Sequence, residues 1–230
     1  VDVKQSGLTY APLAEPLQPP AAAMQSHPQA PAAKAQAAAS NKTTSAVTAP
    51  VAMAAGDTVV DLMVLYSPYM VSRLGGDGAA RARVDNLVAI TNQIMLDSQV
   101  AVRIRLVHAR QINQSDNVNQ GDLLTALAND AGAFAGTRAL RDQYGADLVE
   151  FIHKPTVGVG SCGIGYLSVG QGPSGNAGAG FTVVDDSCPT MVMAHELGHN
   201  FGNNHDHAHA SGTPVFAYAW GYITPGTDSG

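Results

Sequence analysis

The chain has 230 residues and a formal net charge of -6, enough for one medium domain plus an extension. No basic cluster is present to neutralise phosphates, which argues against a nucleic-acid partner. No apolar run approaches the ~20 residues that span a bilayer, so a soluble monomer without a membrane partner is expected.

Residues 1–56 differ in kind from the rest. Alanine, proline and glutamine dominate them, as in PPAAAMQSHPQAPAAKAQAAAS over 19–40. Such a segment buries too little apolar surface to offset its ordering entropy, so a disordered or weakly structured tail is expected, either the end of a propeptide or an inert linker. The chain opens at Val1 without a basic, apolar leader, so any signal peptide is expected to have been removed or never included.

From Asp57 the pattern becomes that of a folded domain, expected over 57–230. TVVDLMVLY (58–66) reads as a buried strand. Residues 78–98 carry helical spacing, with Val84, Leu87, Val88, Thr91, Ile94 and Met95 on one side. VRIRLVHAR (102–110) alternates as a half-buried strand, and 120–143 reads as a second long helix with Leu123, Leu124, Leu127, Phe134 and Leu140 inward. ADLVEFIHK (146–154) is a third strand, CGIGYLSV (162–169) a short one, GQGPSGNAGAG (170–180) a loop and FTVVDD (181–186) the last strand. Alternating strands and helices predict an α/β fold with a largely parallel sheet and right-handed crossovers.

The run HELGHNFGNNHD (195–206) fits the frame HExxHxxGxxH. Residues four apart share a helix face, so His195 and His199 can offer two imidazoles to one ion. Glu196 is badly placed to complete the cage but well placed to take a proton from a water on the metal. Gly202 falls where the helix must end, and glycine accepts the left-handed backbone found there. The turn then returns His205 as a third ligand. Three neutral nitrogens with an open fourth position describe a catalytic zinc (Zn2+) site. The bland alternative is a surface helix that merely carries histidines. Met191, Val192, Met193 and Ala194 lead into the helix as an apolar run, and Leu197 and Phe201 continue a buried stripe.

At these residues the chain resembles the metzincin zinc endopeptidases, and Asp206 after the third histidine is what their adamalysin-like (reprolysin) branch carries. VDLMVLYSP (60–68), LRDQYGADLV (140–149), SCGIGYLS (161–168) and VVDDSC (183–188) look like bacterial secreted enzymes of the peptidyl-Asp metalloendopeptidase type. The resemblance covers about residues 57–225. It implies a metzincin-like twisted sheet with an antiparallel edge strand, two long helices and a zinc-ligand helix. It also implies a secreted endopeptidase acting on protein or peptide substrates. The edge strand would pair with the substrate backbone, a role that falls on Gly163, Ile164, Gly165 and Tyr166. Cleavage on the amino side of aspartate is implied too, although no lysine or arginine occurs between Pro155 and Gly230.

One departure concerns the methionine turn that names these enzymes. The last methionine is Met193, so the chain is expected to stop before that turn, with the C-terminal subdomain truncated; a divergent enzyme without the turn is the alternative. A zinc- and peptide-binding fragment or zymogen piece without turnover is therefore a second reading. A metal-binding module centred on His207 and His209 is a third. A latch made by a propeptide cysteine is not available within these residues, because none of those before Cys162 is a cysteine.

Cys162 and Cys188 are the two cysteines. A disulfide between them would tie a strand to the ligand helix and suit an exported protein, and two buried free thiols are the alternative. Asp206 is read as structural, a carboxylate near the turn that orients a ligand ring. Asp185 and Asp186 would serve either a calcium (Ca2+) ion or a strand-end turn.

Overall fold

The computed structural model describes residues 58–154, 161–167, 177–210 and 212–223. The tail over 1–56 and most of the glycine-rich loop over 170–180 lie outside the described residues.

Strand β1 (Thr58–Tyr66) is followed by helices α1 (Pro68–Leu74) and α2 (Asp77–Asp97), then β2 (Val102–Gln111). Helices α3 (Gln120–Ala128) and α4 (Thr137–Tyr144) precede β3 (Leu148–His153), β4 (Gly163–Gly165), β5 (Phe181–Asp185) and α5 (Val192–Asn200). The sheet order is β2-β1-β3-β5-β4. The first four run parallel, and β4 pairs antiparallel with β5 at the edge. This is the mostly parallel sheet with one antiparallel edge strand that the alternation and the family resemblance predict.

Both sheet faces are covered, which is why the central strands read as continuous apolar runs rather than as alternating ones. On one face α2 and α5 contribute Val84, Leu87, Val192, Met193 and Leu197 to a core with Leu62, Val64, Ile152 and Val184. On the other, α3 contributes Leu123, Leu124 and Leu127, which pack with Met63, Phe151, Ile164 and Val183. The apolar side of α2 is the expected one, with Val84, Leu87, Val88, Thr91 and Met95 buried and Ile94 half-buried.

Two elements differ from the sequence expectation. A short helix, α1, lies between β1 and α2, over residues to which the sequence pattern assigns no element. Ser67 caps it and Gly75 ends it at φ 86. The second long helix over 120–143 is instead α3, a single 3-10 turn at Gly132–Phe134, and α4. Asp130 at φ 57, Gly132 at φ 60 and Gly136 at φ 87 adopt the left-handed backbone, which a continuing helix forbids. The Asp130 carboxylate secures the break by accepting the N–H groups of Gly136 and Arg138 at 3.1 and 3.0 Å. Only α2 is long. No helix among the described residues is long and apolar enough to cross a membrane.

Candidate metal centre

Helix α5 is nine residues long, too short to hold together in water without tertiary support. Its support is the buried stripe of Val192, Met193 and Leu197. Met191, expected within the apolar lead-in, is instead 62 % exposed, one residue ahead of that stripe. The helix ends at Asn200, and Gly202 turns the chain at φ 94. Gly202 is required twice over, because a Cβ there would lie 2.9 Å from that of Val215.

The turn brings the three histidines together. His195 Nε2 lies 3.1 Å from His199 Nε2 and 3.2 Å from His205 Nε2. Tetrahedral zinc with Zn–N near 2.0–2.1 Å sets its ligand nitrogens about 3.3 Å apart, so the spacing fits one such ion. No other group of three or more His, Cys, Asp or Glu among the described residues converges in this way. Burial, followed by the neighbouring His199 and His205 rings, pushes His195 down to about 3, which keeps it in the neutral form a ligand needs. His199 donates its Nδ1–H to the Asn203 carbonyl at 2.8 Å, leaving the Nε2 lone pair for the cage. His205 is held by a second strip of chain. Asn204 N–H donates to the Ala219 carbonyl and Gly221 N–H donates to that of Asn204, both at 2.9 Å.

Glu196 is fully buried, and neither carboxylate oxygen has a hydrogen-bond partner. Burial first, and the nearby Glu150 carboxyl second, push its pKa well above the usual range. A cation in the histidine cage would reverse that direction. The three converging imidazole nitrogens fit a bound divalent ion, and Glu196 lies on the same helix as two of them.

Around this centre the sequence expectations fare unequally. Cys162 and Cys188 form a disulfide that ties the start of β4 to the approach of α5, and the free-thiol alternative falls away. Gly163 through Tyr166 lie at the sheet edge as expected, but Ile164 and Tyr166 are 7 % and 1 % exposed and pack into the core under α3. The carboxylate of Asp206 is turned toward its own loop, accepting Ala208 N–H at 3.0 Å and pairing with His209 Nδ1 at 2.8 Å. It braces the loop after the third histidine, where the chain bends back on itself at 207–209. His207 stacks on Trp220 with ring centroids 4.0 Å apart. Asp185 forms a strand-end turn by accepting Ser187 N–H at 2.7 Å, and Asp186 is ion-paired with Arg73 and Arg83. Both carboxylates are thus engaged by groups of the protein itself.

Two buried groups near the site escaped sequence reasoning. The Asn200 side chain donates to the carbonyls of Tyr166, Ala179 and Phe181 at 2.8, 3.1 and 3.3 Å, latching α5 to the sheet edge. Glu150, fully buried in β3, accepts the Thr182 hydroxyl at 3.1 Å, and burial pushes it up to about 8. The available signal was a lone carboxylate inside the apolar run LVEFIH.

A helix bearing two histidines and a glutamate, a glycine turn and a returning third histidine define a metallopeptidase centre. The model of metallo-peptidase family M12B, reprolysin-like, matches residues 56–227, and the chain belongs to that family. It is 32 % identical over 162 residues to a peptidyl-Asp metalloendopeptidase of Pseudomonas aeruginosa. That match covers 66 % of this chain and 26 % of the relative, so the chain corresponds to about a quarter of the relative's length. Among solved structures it is similar to a chain described as "Structure of a chaperone-substrate complex", with a TM-score of 0.56 and 23 % identity over 66 % of this chain and 24 % of that one. That likeness speaks to the fold alone.

Proposed function

We propose that this chain is the zinc-binding catalytic part of a secreted endopeptidase that hydrolyses internal peptide bonds. The observation that carries the reading is the convergence of the His195, His199 and His205 Nε2 atoms, two of them on the helix that also carries Glu196. When bound, zinc supplies a Lewis acid that acidifies a water and polarises the scissile carbonyl. The protein's own part follows from the residues. The three imidazoles hold the ion in a fixed place, and the Asn203 carbonyl fixes the His199 tautomer. Glu196 takes the proton of the attacking water and delivers it to the leaving amine nitrogen. The outer edge of β4 receives an extended substrate by strand addition, through its backbone alone.

The aspartyl preference in the relative's name is carried here as part of the proposal. It requires a cation that residues 155–230 do not supply as lysine or arginine, so the charge comes from upstream, from a histidine or from residues beyond 230. Secretion is supported by the Cys162–Cys188 disulfide. Residues 1–56 fit a propeptide remnant or a linker. A second reading, binding of zinc and peptide without turnover, is favoured by one observation, the complete burial of the Glu196 carboxyl.

The deciding experiment incubates the zinc-loaded chain with a peptide library, with and without a chelator. Chelator-sensitive cleavage, lost about 10³-fold in Glu196→Gln with zinc still bound, supports the endopeptidase. One zinc per chain with no cleavage supports the silent reading. Cleavage by Glu196→Gln at the wild-type rate removes Glu196 from the mechanism.

A further inference from the structure

Strand β4 was expected to matter for the substrate. Its inward face has another occupant. In a strand, alternate residues point to opposite faces, and Ile164 points toward α3. Gly163 and Gly165 therefore face α5. An ideal Cβ on Gly163 would lie 2.5 Å from Glu196 Oε1, 2.7 Å from its Cγ and 2.8 Å from its Cδ. An ideal Cβ on Gly165 would lie 3.1 Å from the Glu196 backbone oxygen, 3.2 Å from Thr182 Cγ2 and 3.4 Å from Glu196 Oε2. The first set is closer than real side-chain contacts allow, and it involves three consecutive parts of one side chain. Neither glycine has a left-handed φ, so backbone freedom does not explain them. The space they leave does.

We infer that Gly163 and Gly165 are positioning residues whose missing side chains form a socket on the edge strand, and that this socket fixes the Glu196 carboxyl on the helix that carries His195 and His199. The socket is fixed from two further directions. Cys162, immediately before Gly163, is bonded to Cys188 ahead of α5. Asn200, one turn after Glu196, hydrogen-bonds the carbonyl of Tyr166, immediately after Gly165. Strand and helix are thus clamped on both sides of the glutamate, and its carboxyl fills the gap between the clamps. Each glycine acts through Glu196 and touches no reacting atom. The GIG run of β4 accordingly sets the position of the proton-accepting group and, on its outer edge, the register of a bound peptide.

The catalytic consequence rests on the proposed role of Glu196, while the packing itself does not, so the test separates them. Thermal melting is measured for wild type, Gly163→Ala, Glu196→Ala and the double variant, all metal-free. Gly163→Ala is expected to lower the melting temperature by several degrees when Glu196 is present and to cost little when Glu196 is alanine. An equal loss in both backgrounds overturns the socket, even where Gly163→Ala folds poorly. With zinc bound, Gly163→Ala should lower kcat about a hundredfold, as a displacement near 1 Å does, with KM nearly unchanged. Gly165→Ala should lower kcat less, since its nearest contacts are longer. Combining Gly163→Ala with Glu196→Asp should cost less than the product of the two losses, because the shorter acid makes room. A wild-type kcat in Gly163→Ala overturns the inference. A fully active Glu196→Gln overturns instead the reading of Glu196 as the base.

Discussion

Helices α2 and α5 pack on the same face of the sheet and share one apolar core, yet they are held in different ways. Helix α2 is 21 residues long and is placed by a run of buried apolar residues, with polar ties spread along it, such as Asn92, which bonds the Ile104 N–H and carbonyl at 2.8 Å. Helix α5 has nine residues and a shorter apolar stripe, and it is pinned individually at its approach, middle and end. The disulfide holds the approach, the glycine face of β4 receives Glu196, and Asn200 reaches three carbonyls at the end. Apolar area alone fixes a helix approximately, whereas a metal cage needs its ligands within a fraction of an ångström. On α2 such directional contacts are spread over 21 residues, whereas on α5 they fall within and just before the nine that carry two metal ligands.

Damage to each helix should therefore read out differently. Leu87→Ala in α2 removes a side chain only 4 % exposed, so unfolding free energy should fall by about 3 kcal/mol. The folded fraction should keep its kcat. Replacing Cys162 and Cys188 together by alanine opens a loop whose ends are 26 residues apart, costing about 3 kcal/mol by the chain-entropy account. Here kcat should fall as well, since the approach to α5 loosens. Asn200→Leu strips three carbonyls of a donor and should cost about 2 kcal/mol, yet lower kcat tenfold or more. Denaturant melts paired with single-turnover rates check all three. Should Asn200→Leu lose stability while its folded fraction turns over at the wild-type rate, the contrast between the helices collapses.

Much of this was legible in the chain. The histidine frame is local, so helical spacing and one glycine turn were enough to assemble it before any fold was known. The strands could be read because β1, β3 and β5 are buried runs. What escaped was long-range or orientational. The acceptors for Asn200 lie 19 to 34 residues away in the chain, and no periodicity marks them. Gly163 and Gly165 resemble any flexible pair until α5 is packed against them. The aim of Asp206 toward His209 depends on how the loop bends. The helix break at Asp130 was missed because the leucine spacing continues on either side of it, while the left-handed residues that stop the helix carry no apolar signal.

The last comparison sets Glu150 against His153, neighbours on one strand that face opposite sides of the sheet. Burial pushes His153 down to about 4, and Glu150 up to about 8 despite its bond from Thr182. The signs follow from proton counts. The unfolded chain protonates His153 near 6.5 and the folded chain only near 4, so stability is lost as pH falls through that window. The folded chain retains the Glu150 proton up to about 8 whereas the unfolded chain releases it near 4.5, so stability is lost as pH rises through that window. Glu150→Gln should flatten the alkaline limb and leave the acid limb alone. Because Glu196 shifts in the same direction and feels Glu150, the measurement belongs in a Glu196→Gln background, where one carboxyl of the pair titrates. Melting temperatures from pH 4 to pH 9 should converge for the two proteins at the acid end and separate steadily toward pH 8. Parallel curves would mean that Glu150 ionises freely within the fold, and that the polar group beneath α5 has no part in setting its stability.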